Sequence, residues 1–185
     1  KQNMPKAIGM VEYFNVSKGV KAADIMAKTA DVEILTAMTV CPGKYIVIVA
    51  GALSAVKASV EAAKKNVPEK LADSFVLGNP HEDIFPAIYG ATEVGNVAAL
   101  GILETYTASS IIVAADVAAK TAIVKLIEVR IAKGMSGKSY MFITGEIAAV
   151  EAAIEKAKDH IAGEGTYLDS EVIARPDESI WNSIL

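Results

Sequence analysis

Cysteine, histidine and aromatic side chains are scarce in this chain: one cysteine, two histidines and 6% aromatics among 185 residues. A single thiol excludes an internal disulfide. The two histidines offer little to catalysis or metal binding. His81 lies in Asn79-Pro80-His81-Glu82, at an expected helix start, and His160 falls near the end of an expected long helix, where an imidazolium suits the dipole. HExxH, GxSxG and P-loop patterns are missing. Gly134-Met135-Ser136-Gly137-Lys138-Ser139 has the wrong glycine spacing for a phosphate loop and reads as a hairpin turn. Long apolar runs are missing too. Tyr45–Ala50 and Ser110–Ala115 are too short to cross a bilayer, and Lys1–Lys6 starts no secretory leader, so a soluble intracellular protein is expected. Neither sign of charge dominates. With 18 basic and 22 acidic side chains and a net charge of −4, no nucleic acid and no membrane is expected as a partner.

What the chain has in abundance is short aliphatic residues, 52% apolar in all, and it has them twice. Ala7, Gly9 and Glu12 recur 92 residues later as Ala99, Gly101 and Glu104, and Ala27-Lys28-Thr29-Ala30 recurs as Ala119-Lys120-Thr121-Ala122. After the next turn the offset is 94, taking Gly43-Lys44 to Gly137-Lys138, and finally 96, taking Pro80, Ile84 and Phe85 to Pro176, Ile180 and Trp181. Each step is a two-residue insertion where a loop tolerates it. Such a repeat implies two similar domains, expected at residues 4–94 and 95–185.

Each copy reads as β-α-β-β-α-β followed by a short helix. Ala7–Tyr13 is a mostly apolar strand, and Ser17 is the expected cap of a helix in which Val20, Ala23, Ala27 and Ala30 recur at spacings of three and four. Val32–Val40 and Lys44–Ala50 read as a hairpin around Cys41-Pro42-Gly43. A second helix carries Leu53, Val56, Val60 and Ala63 on one face, with Ile147, Val150, Ile154, Ala157 and Ile161 as its counterpart. Phe75–Leu77 and Val172–Ala174 are the expected last strands. Pro80 and Pro176 then fit the first turns of closing helices. The order is that of a ferredoxin-like α+β sandwich with one added helix.

Two features invite chemistry. Glu12 and Glu104 stand at equivalent strand positions, where a shared hydrogen-bonding or interface role is more economical than paired acid–base catalysis. Cys41 precedes Pro-Gly at a hairpin tip, an exposed setting for a thiol. One cysteine cannot hold an iron–sulfur cluster, but three copies around a threefold axis could supply three thiolates.

Ala7-Ile8-Gly9-Met10-Val11-Glu12 with Asp24-Ile25-Met26-Ala27-Lys28, and again Ala99–Glu104 with Asp116–Lys120, resemble the opening of a bacterial microcompartment shell domain. The turn Val40-Cys41-Pro42-Gly43-Lys44 and the tail Arg175-Pro176 with Trp181 are similar to those of tandem-domain shell proteins of propanediol-utilisation microcompartments. The resemblance implies a structural, non-enzymatic shell protein, located in a microcompartment within the cytoplasm and forming a pseudo-hexagonal homotrimer. It further implies one [4Fe–4S] cluster per trimer, held by three Cys41 thiolates, with electron transfer across the shell to an encapsulated or cytosolic redox protein during 1,2-propanediol degradation. The alternative is a pore for metabolite passage or iron–sulfur cluster delivery, without electron conduction. Around the centre the turn residues are Pro42 and Gly43 from the first copy and Gly134, Met135, Ser136 and Gly137 from the second, which lacks the cysteine. Lys28, Lys120 and Arg175 match edge residues that meet other shell proteins, while Asn79 replaces arginine in the first copy.

Overall fold

The computed structural model describes residues 7–185, so Lys1–Lys6 and the expected domain start at Met4 lie outside the described residues. The elements run β1 (Ala7–Tyr13), α1 (Val16–Thr29), β2 (Val32–Val40), β3 (Lys44–Gly51), α2 (Leu53–Asn66), β4 (Leu71–Gly78) and α3 (Ile84–Tyr89). They then repeat as β5 (Ala99–Thr105), α4 (Ala108–Thr121), β6 (Lys125–Arg130), β7 (Ser139–Gly145), α5 (Ile147–Ala162), β8 (Tyr167–Ile173) and α6 (Glu178–Ile184). The expected β-α-β-β-α-β order with a closing helix therefore holds in both copies.

Two four-stranded sheets form, ordered β2-β3-β1-β4 and β6-β7-β5-β8, each antiparallel throughout. Their registers repeat as faithfully as the sequence. Ala7 faces Gly51 as Ala99 faces Gly145, and the ladder slips at Glu12/Tyr13 as it does at Glu104/Thr105. Irregularities kept at the same place in both copies show one unit written twice.

The first core lies between β1, β3 and the helices α1 and α2, where Val11, Tyr13, Met26, Val47, Val49, Val56 and Val60 are buried. Gly9 and Gly101 let each sheet and its second helix approach closely. A methyl group on Gly9 would stand 2.7 Å from Val56 and Val60, and one on Gly101 would stand 2.7 Å from Ile143 and Val150. Tyr13 is buried with its hydroxyl donating to the carbonyl of Val67 at 2.9 Å, which satisfies the end of α2.

Local expectations needed three corrections. Asn15, not Ser17, caps α1, because its side chain accepts the Lys18 N–H while Ser17 lies inside the first turn. Pro80 and Pro176 precede their helices rather than opening them, and Asp177 is the cap of α6. The last strands are longer than the apolar runs suggest, since β4 begins at Leu71 and β8 at Tyr167; β8 also ends at Ile173, leaving Ala174 outside it.

Residues group into two compact units. Among the described residues one comprises 7–80 and 132–137; the other comprises 81–131 and 138–185. The turn 132–137 of the second copy thus belongs with the first copy, and the closing helix α3 of the first copy belongs with the second.

Candidate functional site

Pro42 and Gly43 turn the chain sharply between β2 and β3, with the Cys41–Pro42 peptide cis and Gly43 at φ 102°. The Cys41 N–H donates to the carbonyl of Ala132 at 2.9 Å. That bond joins the two turns that the repeat makes equivalent. Gly137, at φ 88°, packs so closely that a side chain there would stand 3.0 Å from Pro42 and 3.2 Å from the Cys41 carbonyl. The turn thus needs glycine at 137 for backbone conformation and for space. Pro42, Gly43, Lys133, Gly134 and Ser136 are exposed, whereas Cys41 and Met135 are half-buried and Gly137 is buried.

Lys44 returns beneath this turn. Its Nζ donates to Glu12 at 2.9 Å, with the Glu12 side chain fully buried and Lys44 nearly so. Lys44 also lies over the Phe14 ring, 5.7 Å from its centroid. The second copy does not repeat the arrangement: Glu104 is half-buried and Lys138 is exposed. Glu12 therefore acts as an internal anchor, which agrees with a hydrogen-bonding role and not with an acid–base pair.

The expected iron–sulfur centre is overturned by its donor set. The chain has one cysteine, and among the described residues no group of three or more His, Cys, Asp and Glu side chains could hold a metal ion. A [4Fe–4S] cluster takes thiolates or equivalent ligands on its irons, and nothing of that kind accompanies Cys41. That finding overturns the cofactor, the three-thiolate arrangement, the metal-binding role and electron transport across a shell together.

The other expected positions are spread around the fold. Lys28 ends α1, exposed and paired with Asp24 at 2.7 Å. Lys120 ends α4 and pairs with Asp116 at 2.6 Å, but here the carboxylate is buried and also accepts the His81 N–H at 2.7 Å. Asn79 follows β4 in the left-handed region at φ 52°. Arg175 is exposed and lines a cavity of about 530 Å³ with Glu146, Ile147, Pro176, Glu178 and Trp181. His81 accepts the Asp83 N–H at Nδ1, and Asp83 in turn pairs with Lys125 at 2.6 Å. Sequence reading missed this Asp83–Lys125 contact, because neither residue belongs to a repeated motif.

Both halves of the chain match the BMC domain model, over residues 7–80 and 99–176. The chain belongs to the BMC-domain family. It is 36% identical over 182 residues to the bacterial microcompartment shell protein PduT of Citrobacter freundii, covering 98% of this chain and 99% of that protein. A carboxysome shell protein of Synechococcus elongatus matches at 35% identity over 85 residues, 44% of this chain and 83% of its own. Among solved structures, a microcompartment protein from Desulfitobacterium hafniense superposes with a TM-score of 0.84 at 41% identity, over 95% of this chain and 98% of that one. This BMC chain is thus a tandem-domain shell protein closely related to the PduT type, of a family whose members are structural and non-catalytic. Its place is the microcompartment shell. Among the described residues no helix is long and apolar enough to cross a membrane.

Proposed function

We propose that this chain is a structural shell tile that assembles as a homotrimer with pseudo-hexagonal outline, and that its paired turns form a pore for metabolites. The observation that carries the pore is the bond from the Cys41 N–H to Ala132, which holds residues 41–43 and 132–137 side by side. Exposed Gly43 and Gly134 leave room at the tips of these turns, and exposed Lys133 adds positive charge. Such a lining suits small polar and anionic metabolites, with selectivity set by backbone groups and lysine. Lys28, Lys120 and Arg175 would meet other shell proteins at the tile edge, with Asn79 giving a weaker contact. The shell protein PduT of Citrobacter freundii, similar along 98% of this chain, supports the tile role.

Flux into assembled shells tests the pore. Lys133→Glu should slow the entry of a small anion by a factor of about two or more and leave a neutral solute of the same size unaffected. Equal anion entry in both proteins would remove the pore from these turns.

A further inference from the structure

The repeat writes one tight turn with two different acceptors. At the start of α6 the Asp177 side chain accepts the Ser179 N–H at 3.0 Å and the Ser179 hydroxyl at 2.6 Å. Its counterpart in the first copy, at the offset of 96, is His81. There the imidazole Nδ1 accepts the Asp83 N–H at 3.2 Å, just ahead of α3. Nδ1 can accept only while it carries no proton. An imidazole gains its second proton between about pH 5 and 8, whereas a carboxylate stays an acceptor to far lower pH. Hydrogen bonds from Ser179 hold the Asp177 carboxyl below even the usual carboxylate range.

His81 is also where α3 is fastened to the rest of its own compact unit. Its backbone N–H donates to Asp116 of α4 at 2.7 Å, and its carbonyl accepts the Ile84 N–H at 3.1 Å. Asp83, buried beside it, pairs with Lys125 of β6 at 2.6 Å. Behind these bonds Ile84 and Ala87 are fully buried as α3 packs on β6 and α4.

We infer that His81 is an acid-sensitive latch: a proton on Nδ1 frees the Asp83 N–H and loosens α3 from β6 and α4, while α6 keeps its start. The charges around His81 decide the direction. Asp116 of α4 is engaged by Lys120 and Asp83 by Lys125 of β6, at 2.6 Å each, so both buried carboxylates already have a cation. Glu82 is the remaining charge of this group, and it is exposed, where a new ion pair contributes little. Against that, an N–H loses its partner at a residue only 8% exposed, which is the larger effect. His160, the second histidine, stands exposed in the last turn of α5 and takes no part in these bonds.

Amide hydrogen exchange of the full chain, corrected for the intrinsic pH dependence of exchange, tests the latch. Between about pH 7.5 and 5.5 the protection of amides in 83–89 should fall about fivefold or more, with that of α6 constant to about twofold. His81→Asn supplies an acceptor that does not titrate. Its α3 should be protected as in the parent at the higher pH and should stay so on acidification. His81→Ala, without an acceptor, should show the lower protection at both pH values. Two results overturn the latch: parent α3 protection that acid leaves unchanged, or a fall that His81→Asn shows as well.

Discussion

Lys44 reaches from the turn at Pro42-Gly43 to a carboxylate that water cannot touch. Removing one partner from such a pair strands the other charge, at a cost of about 3–5 kcal/mol. Lys44→Met should therefore lower unfolding free energy by about that amount in denaturant titrations, and Glu12→Gln in the same chain should recover much of the loss. Gly9→Ala should cost about 1–3 kcal/mol, because its methyl must displace Val56 and Val60, which are branched, short and already packed. Two tyrosines make pH visible. Burial pushes Tyr13 up to about 12, helped by the nearby Glu69 charge, and burial with a hydrogen bond to Glu128 does the same to Tyr140. A tyrosine raised in the folded state favours folding while the unfolded group is still protonated. Stability from both should be intact below about pH 10 and fall as pH rises toward 12. Ultraviolet titration should show these phenols ionising last and unfolding setting in over the same interval; two ordinary transitions near pH 10 would contradict this.

At the scale of elements, most of the fold was legible because period and repeat reinforced each other. The apolar faces of α2 and α5 appeared twice, so either instance supported the other. The ends of elements were less readable. Asn15 and Ser17 are both good caps, and only the bond accepted from Lys18 separates them. β4 begins with Leu71-Ala72-Asp73-Ser74, where mixed polarity hides an edge strand that pairs on one side. The stripe Val20, Ala23, Ala27 and Ala30 was visible as an apolar face, yet Val20 and Ala27 are exposed in the chain. The face of α1 that packs inward is instead Gly19, Ala22 and Met26, which the short alanine-rich stripe beside it obscured. The site was legible in part: Cys41-Pro42-Gly43 stood out as a turn, but its bond to Ala132 joins residues far apart in sequence. A lone cysteine suggested metal chemistry that the surrounding donor set does not support.

For the whole molecule, duplication places one fold in two unlike settings. In each 19.4 kDa chain α3 packs on β6 and α4 of the second copy, while Val16 and Val20 of the equivalent helix in the first copy are exposed. The family assignment and the near full-length match to a shell protein support the proposed flat tile. Electron microscopy of the concentrated protein tests the claim most directly. The account predicts sheets of repeating hexagonal tiles, each with the mass of three chains around a central opening. Dispersed single chains, or closed particles with no lattice, would contradict it.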